Sequence, residues 1–556
     1  PLEIGKSYFD QINSSQTTKE LFVKSINLFL LNGFSGPFNF SVYADMENSD
    51  FNIMHFFSSG LGMPDRDYYL KEDKQKERDE YKKFMNRLID YSELNINHSN
   101  IFSIETELAK AMRSRVEKRD PHKRNNPTDI NQLNQNYPNL PWQMLFNQIK
   151  KEHGKINLSN PDYFKRLNEL VNQYNLDSWK DYFSWRLLLN IASYSTIKAE
   201  KILFDFYGNV LSGTPKMKPL EKRVLNMLDD NVGEIIGKKY AERYFPAESK
   251  KLAEKMVEFI RNELERRVIG LDWMSADTKV KALEKLNKFG VKIGYPDKWR
   301  DFTKLDISMG KSLFDNVLAV NRFEIQDDID QLYKPVDKSR WFMNVHTVNA
   351  YYSPLMNEIV FPGGILQEPF FSPEYPMAYN FGGMGSVIGH EMTHGFDDQG
   401  RKFDSDGNLN DWWTDSDAKN YKAKTDPIKT QFGKYLVGDK PVNGDLTQGE
   451  NIADLGGVSI SFKSYLRYLE QNEDTKVKDF SAWDTFTPEQ LFFINYARIW
   501  RGSTREEEMQ KRLVTDPHSP PIFRVNGSII NLDDFARVFG LKEGDGLWKK
   551  DRLSVW

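Results

Sequence analysis

The stretch Gly389-His390-Glu391-Met392-Thr393-His394-Gly395-Phe396-Asp397-Asp398 governs the interpretation of the whole chain. His390 and His394 are four residues apart, so on a helix both imidazoles lie on one face and can reach one metal ion. Glu391 projects close to the same ion, where it can accept a proton from a water molecule that the metal activates. The alternative is a helix that carries two surface or core histidines, because so short a pattern also arises by chance.

A catalytic zinc site also needs a third protein ligand and an open fourth position. The segment Gly449-Glu450-Asn451-Ile452-Ala453-Asp454 lies downstream, and Glu450 follows His394 by 450 − 394 = 56 residues, enough for a loop and a returning helix. We therefore expect Glu450 to be the third ligand. Two neutral histidines and one carboxylate would leave a Zn²⁺ site with a net charge of about +1, able to polarise a carbonyl group.

Two aspartates are spaced to support the predicted ligands. Asp397 is three residues after His394, and Asp454 is four residues after Glu450, on the same helix face. Either carboxylate can accept a hydrogen bond from the outer nitrogen of a zinc-bound histidine and so fix its tautomer and orientation. The alternative for each is a carboxylate that faces solvent.

A third segment with potential chemistry is Asp516-Pro517-His518-Ser519-Pro520-Pro521-Ile522-Phe523-Arg524-Val525-Asn526-Gly527. Its prolines favour a loop with a fixed conformation. His518 can donate a hydrogen bond to an oxyanion as it forms, and Arg524 can bind a peptide carbonyl or a carboxylate. Without the other two segments, His518 would be interpreted as an ordinary loop histidine.

The composition excludes several classes of site. The chain has 556 residues, a net charge of −4, eight histidines and no cysteine, so disulfides, thiolate catalysis and cysteine-based metal sites are ruled out. A weakly acidic chain does not favour a nucleic-acid partner, and we interpret the basic stretch Arg113, Arg115, Lys118, Arg119, Lys123 and Arg124 as a loop or helix end. No apolar run approaches the roughly 18–20 residues that span a bilayer.

Hydrophobic periodicity indicates that most of residues 1–340 are helical. We predict a helix over Glu248–Gly270 that Ser249 caps and Gly270 ends, because Leu252 and later apolar residues recur every four positions. From about residue 341, Gly, Trp and Asn become frequent, and Glu358–Phe361 reads as a strand. We predict a cap lobe over residues 1–340, parts of which contribute to the catalytic lobe, and a catalytic lobe over residues 341–556, with the two lobes interwoven.

Together these segments resemble the neprilysin / endothelin-converting-enzyme family of zinc metallopeptidases. The resemblance rests on the following stretches: Asn349-Ala350-Tyr351-Tyr352, residues 359–366, His390 to Asp398, Gly449 to Gly457, Asp516 to Gly527 and Ser59 to Tyr69. It implies a mainly α fold with a small β component, in which two interwoven lobes surround a central cavity and one lobe has a thermolysin-like catalytic core.

By matching position, the resemblance implies one catalytic Zn²⁺ held by His390, His394 and Glu450, with Glu391 as general base. Asp397 and Asp454 would orient the two histidines, with Asp454 also counted among the catalytic groups. His518 would stabilise the transition state and Arg524 would bind substrate. Asn349 and Ala350 would pair with the substrate backbone. The apolar pocket next to the zinc would be lined by Ile365, Phe370, Val387 and Trp500, so cleavage of oligopeptides is expected on the N-terminal side of bulky hydrophobic residues.

The sequence departs from the animal members of the family in lacking cysteine, with Leu553 where those members usually have one. This resembles a bacterial-type oligoendopeptidase, for which we expect a monomer that is either cytoplasmic or exported. We also expect the segment with the primed-side arginines to lie upstream of this chain, so we assign no residue to that subsite. The rival functions are a peptide-binding protein without turnover and a zinc aminopeptidase, which would need an acidic anchor for a free amine.

Overall fold

The computed structural model of the protein describes residues 3–151, 154–472 and 485–556. Helices dominate, and the strands are few and short, so the fold is mainly α with a small β component. Within the described ranges, none of the helices is both long and apolar enough to cross a membrane.

The N-terminal part of the chain builds a cap lobe around an aromatic-rich core, with Trp142, Trp179 and Trp185 fully buried. Its elements are α1 (Lys6–Asn13), α2 (Thr18–Leu28), β1 (Phe38–Ala44), β2 (Asn52–Ser58), α3 (Asp67–Leu70), α4 (Gln75–Ser92), α5 (His98–Ala111), α6 (Arg115–Arg119), α7 (Pro121–Arg124), β3 (Pro127–Thr128), α8 (Ile130–Asn136), α9 (Trp142–Ile149), β4 (Ile156–Leu158), α10 (Pro161–Gln173), α11 (Leu176–Ala192) and α12 (Ile197–Leu203). Helix α13 (Leu220–Tyr244) follows them and contributes no residue to either hydrophobic core. The four strands pair in the order β1-β2-β4-β3.

The remaining elements include those that carry the predicted site. They are α14 (Ala247–Gly270), α15 (Ala276–Asn287), β5 (Gly290–Gly294), α16 (Leu313–Gln331), β6 (Tyr351–Ser353), β7 (Glu358–Pro362), α17 (Met377–Asn380), α18 (Ser386–His394), α19 (Asp415–Phe432), β8 (Leu436–Val437), β9 (Lys440–Pro441), α20 (Gly444–Gln471), α21 (Pro488–Ile499), α22 (Glu506–Thr515), α23 (Pro521–Ile529) and α24 (Asp533–Phe539).

The two hydrophobic cores interleave along the chain. One contains buried residues from positions 9–211 together with Phe314, Leu318 and Ile329 of α16. The other contains residues from positions 245–293 and 350–555. The chain therefore enters the catalytic lobe, returns to the cap lobe through α16, and enters the catalytic lobe again. The two lobes are interwoven, and a division at residue 340 stays a prediction.

Helix α14 matches the predicted amphipathic helix, although its start differs. Gly270 ends it, as the sequence indicates, and Met256, Ile260 and Leu264 are fully buried. The prediction that Ser249 caps it was wrong. The helix begins two residues earlier, directly after the extended Pro246, so Ser249 lies inside the first turn with its N–H bonded to the Pro246 carbonyl.

A three-stranded sheet of order β5-β7-β6 lies next to the metal-binding motif. The predicted strand over Glu358–Phe361 is confirmed as β7, which is buried along its length and pairs in parallel with β5 and antiparallel with β6. Strand β6 is at the edge of this sheet, and Asn349 and Ala350 come directly before it. An edge strand has backbone groups free to pair with another extended chain.

Helices α18 and α20 pack so closely that their backbones touch. A Cβ atom added at Gly389 would lie 2.7 Å from the Gly457 carbonyl oxygen, and one added at Gly457 would lie 2.6 Å from the His390 nitrogen. Helix α20 begins at a proper cap, since the Asn443 side chain accepts a hydrogen bond from the Leu446 N–H at 3.1 Å. The glycine contact brings the face of α20 that carries Glu450 against the face of α18 that carries His390.

Candidate metal centre and active site

Helix α18 presents both histidines of the motif toward one point. His390 and Glu391 are buried, and His394 is the last residue of the helix, so its ring remains partly accessible. The two Nε2 atoms are only 2.9 Å apart. The four-residue spacing thus produces the shared face that the sequence predicted.

Glu450 on α20 brings a carboxylate oxygen to the same point. Its Oε2 is 3.3 Å from His390 Nε2 and 3.4 Å from His394 Nε2. Bond lengths of about 2.0–2.1 Å in a tetrahedral zinc site separate the ligand atoms by about 3.3 Å, which matches these distances. Glu450 Oε2 is also buried without a hydrogen-bond partner, as expected for an atom whose partner is a metal ion.

Each of three imidazoles meets a carboxylate through its Nδ1 atom. His394 Nδ1 is hydrogen-bonded to Asp397 at 2.7 Å and His518 Nδ1 to Asp516 at 2.7 Å. His390 Nδ1 lies 2.9 Å from Asp454 Oδ1, close enough for an ion pair but without the alignment of a hydrogen bond. Asp454 and Asp397 were predicted to orient the two histidines of α18, whereas no role was predicted for Asp516.

These carboxylates determine which nitrogen faces the centre. A neutral histidine whose Nδ1–H faces a carboxylate has its lone pair on Nε2. Three electron-rich groups then converge and repel one another, namely the lone pairs of His390 and His394 and the carboxylate of Glu450. A cation bound between them would turn this repulsion into attraction. The donor set therefore fits zinc. Glu391 also offers an oxygen within 4.8 Å of the two histidines, but Glu450 has the tetrahedral spacing.

The surrounding charges keep the acidic groups ionised. Burial alone would raise the pKa of Glu450, but the charge of His518 and the adjoining His394 and His390 rings hold it well below its ordinary value. Burial likewise opposes ionisation of Asp454, whereas Arg524 and His390 lower its pKa to about 2. For Asp397, burial raises the pKa, but the hydrogen bonds from His394 and the Gly400 N–H together with the charges of His394 and Arg119 lower it overall. Carboxylates that remain charged can accept the Nδ1–H bonds on which the histidine tautomers depend.

Arg524 occupies a different setting from the loop that the sequence suggested. It lies on α23, and its Nε and Nη2 both donate to the Asp454 carboxylate at 2.7 Å. Its guanidinium also stacks 3.8 Å from the centre of the Trp500 ring. Since Asp454 takes the N–H of Nε and one N–H of Nη2, both N–H groups of Nη1 stay available to a substrate group.

A cavity of about 590 Å³ surrounds the convergent ligands. All the predicted site residues line it: His390, Glu391, His394, Asp397, Glu450, Asp454, His518, Arg524, Asn349, Ala350, Ile365, Phe370, Val387 and Trp500. Its wall also includes residues that were not predicted to belong to the site, among them Ser386, Tyr496 and Ile499 near the apolar end and Lys118, Arg119, Pro121 and Arg124 from the cap lobe. Both lobes therefore form the cavity.

Two further contacts support α18, the metal helix, and neither was predicted. Lys285 is fully buried and donates to the carbonyl oxygens of Gly395, Gly400 and Phe403 at 2.7–2.8 Å, directly after α18. Arg119 of the cap lobe donates to Asp398 at 2.8 Å, next to the aspartate that binds His394. Both contacts join residues more than a hundred positions apart, so local spacing carries no signal for either.

Comparison with known proteins agrees with this geometry. Models of peptidase family M13 match residues 3–296, as its N-terminal domain, and residues 349–555. The chain belongs to peptidase family M13. This M13 peptidase is 33% identical over 546 residues to endothelin-converting enzyme 1 of Rattus norvegicus, covering 94% of this chain and 71% of that protein. It is 31% identical to neprilysin of Mus musculus over 590 residues, covering 100% and 78%.

A solved structure extends the similarity to the whole fold. The crystal structure of the Mycobacterium tuberculosis zinc metalloprotease Zmp1 in complex with an inhibitor superposes with a TM-score of 0.94 at 35% identity, covering 100% of this chain and 86% of that one. This M13 peptidase is thus a zinc metalloendopeptidase that acts on peptides, with a thermolysin-like core.

Proposed function

We propose that this peptidase cleaves oligopeptides on the N-terminal side of bulky hydrophobic residues, with Glu391 as general base. The observation that carries the proposal is the convergence of three ligand atoms, from His390, His394 and Glu450, in the wall of a cavity that also holds an apolar pocket. Zinc held by these residues would polarise the scissile carbonyl and activate a water molecule.

The protein's own groups then handle the protons and the developing charge. In the proposed reaction Glu391 takes a proton from the attacking water and later delivers it to the leaving amine. His518 Nε2 lies 3.2 Å from Glu450 Oε2 and faces the same centre, so it can donate a hydrogen bond to the carbonyl oxygen as that oxygen gains charge. Asp516, at 2.7 Å from Nδ1, holds the ring in this orientation.

Substrate recognition is proposed from the cavity wall. Asn349 and Ala350 precede an edge strand, where they can pair with an extended peptide backbone. The apolar pocket takes the side chain that follows the scissile bond, because burying each methylene group contributes about 0.8 kcal/mol. It is lined by Ile365, Phe370, Val387 and Trp500. Arg524 Nη1, beside Trp500, can bind a carbonyl of the same peptide.

The cavity opposes the aminopeptidase alternative. The described carboxylates that line it are Glu391, Asp397, Glu450 and Asp454, and each lies at the metal centre. None of them is left to anchor the free amine that an aminopeptidase must bind, so interior cleavage fits better. A monomer stays our prediction for the oligomeric state.

Replacing Glu391 with Gln tests the proposed base. The amide keeps the size of the side chain but cannot take a proton, so kcat should fall by at least about a hundredfold while zinc remains bound. Zinc is measured by elemental analysis and turnover with a quenched fluorescent peptide. The matched control is Glu254→Gln, an exposed carboxylate on α14. A Glu391→Gln protein with parental kcat would assign the base to another group.

Mapping the cleavage sites in a mixed peptide library tests the proposed specificity. The expected result is a bulky hydrophobic residue directly after most cleaved bonds, and few cleavages of large folded proteins. Cleavage without that bias would leave the enzyme class unchanged but contradict the role given to the apolar pocket.

A further inference from the structure

The basic segment of the cap lobe contains both paired and unpaired cations. Its six members are the basic stretch noted above: Arg113, Arg115, Lys118, Arg119, Lys123 and Arg124. Four of its six cations bind other groups of the protein: Arg113 the carbonyls of Lys123 and Ser159, Arg115 the carboxylate of Asp65, Arg119 that of Asp398, and Lys123 that of Glu117. Lys118 and Arg124 have no hydrogen-bond or ion-pair partner for their charged groups among the described residues. These two cations are the ones that need an explanation.

Lys118 and Arg124 both line the catalytic cavity and are only partly exposed. The Arg124 Nε atom is buried without a hydrogen-bond partner. Burial lowers the pKa of Lys118; the charge of Asp65 opposes this, and the charges of Arg115 and Arg66 add to the lowering. Because both cations are partly buried and unpaired, an anion that enters the cavity would give them hydrogen bonds and neutralise their charge.

The other charged groups of the cavity leave these two cations available. Arg119 is bound by Asp398, and Arg524 is bound by Asp454. The described carboxylates of the wall all lie at the metal centre. An anion that reaches Lys118 and Arg124 therefore has to come from outside the protein, and the peptide substrate is the molecule that this cavity admits.

The position of the pair relative to the metal ligands fixes the part of the substrate that it meets. Helix α18 carries Val387, which lines the apolar pocket, in its first turn and His394 at its last position, and Asp398 and Lys402 follow. The segment with Lys118 and Arg124 is held at this second end, since Arg119 binds Asp398 and Lys402 binds Asp120 at 2.9 Å. The two cations and the apolar pocket thus lie toward opposite ends of the metal helix.

We propose that Lys118 and Arg124 form an anion subsite that selects peptides with an acidic side chain on the N-terminal side of the scissile bond. The inference rests on the proposed function, because the apolar pocket there receives the residue that follows the bond. A C-terminal carboxylate cannot occupy this subsite, since it lies on the other side of the cleaved bond.

Paired peptide substrates test the proposal. Each pair shares a hydrophobic residue after the scissile bond and differs only by Glu or Gln at one of the positions before it. The wild-type zinc enzyme should favour the Glu peptide in kcat/KM by on the order of tenfold at one such position, since hydrogen bonds between charged groups are stronger than neutral ones. The preference should shrink as the salt concentration rises.

Variants assign the preference to the two side chains. Lys118→Met and Arg124→Gln should bring the Glu/Gln ratio toward one, and Lys118→Glu should favour a peptide with Lys at the same position. The matched control is Lys123→Gln, an exposed cation of the same segment that pairs with Glu117 and should keep the wild-type ratio. The reversed preference of Lys118→Glu cannot arise from partial unfolding, which lowers both rates equally.

The outcomes separate this inference from the proposed function. If the wild-type enzyme cleaves neither peptide of any pair, the proposed function fails. If it cleaves both at equal rates at every position, or if Lys118 and Arg124 variants keep the acidic preference, the subsite is refuted while the peptidase function stands. A preference for acids that appears only after the scissile bond also contradicts the assignment.

Discussion

Replacing Gly457 with Ala should separate the two helices that hold the predicted zinc ligands. Gly457 is seven residues after Glu450 on α20, and it faces the backbone of α18 beside His390. The added Cβ would lie 2.6 Å from the His390 nitrogen and 2.7 Å from the Ser386 carbonyl oxygen. Both neighbours are backbone atoms of a buried helix, so neither can rotate away as a side chain would.

The required movement is large compared with the tolerance of a metal site. Ordinary contact begins at 3.4 Å, so the helices must part by 3.4 − 2.6 = 0.8 Å at this point. Metal–ligand distances hold to about ±0.2 Å. A displacement several times larger moves Glu450 away from His390 and His394, and overpacking adds a stability cost of about 1–3 kcal/mol. We expect zinc affinity and kcat/KM each to fall by at least about tenfold.

Competition with a fluorescent chelator measures the zinc affinity, and circular dichroism shows whether the variant remains folded. The control is Gly270→Ala at the end of α14, where an added Cβ meets nothing within 4 Å. This control should keep parental zinc affinity and activity. A folded Gly457→Ala protein that binds zinc as tightly as the parent would refute the claim that this backbone contact sets the ligand geometry.

Two other substitutions probe the charges that join and stabilise the lobes. Arg119 donates hydrogen bonds across the lobes to Asp398 and to the Asp445 carbonyl. Arg119→Met should therefore raise KM by at least about tenfold with a smaller change in kcat. A fall in kcat as large as the rise in KM would contradict a role in closing the cavity. Burial raises the pKa of Glu105 from 4.5 to about 7, so the folded state holds this proton more tightly than the unfolded state. Its contribution is therefore fully present below about pH 4.5 and is lost progressively as the pH rises to about 7, by about 3 kcal/mol in all. In Glu105→Gln the thermal midpoint should fall less between pH 5 and 8 than in the parent, and an unchanged pH profile would contradict the assignment.

Local spacing predicted what depends on local geometry. The four-residue interval of His390 and His394 and that of Glu450 and Asp454 each place two side chains on one helix face, and both helices are present. The apolar run that became β7 was equally clear, because strands buried on both sides are continuously hydrophobic. These features needed no knowledge of the rest of the fold.

Contacts between segments far apart in the chain could not be predicted from the sequence. Nothing near Lys285 indicates that it binds three carbonyls behind the metal helix, and nothing near Arg524 indicates that Asp454 occupies two of its nitrogens. The role of the basic segment was also not predictable from local sequence. Its placement in short helices agrees with a helix-end role, but only tertiary structure distinguishes Lys118, which faces the cavity, from Lys123, which does not line it.

The interleaving of the cores gives the cap lobe more than a covering role. Strand β5 pairs with the central strand β7 over five positions, so one edge strand of the β5-β7-β6 sheet comes from before α16, whose own apolar residues complete the cap core. The chain between β5 and β6 must therefore leave one core and return to it, which ties the position of one lobe to the other. Because Arg119 and Lys118 are neighbours on α6, a movement that brings Arg119 to Asp398 also brings Lys118 to the cavity wall. Closing of the lobes and completion of the proposed anion subsite would then be one event.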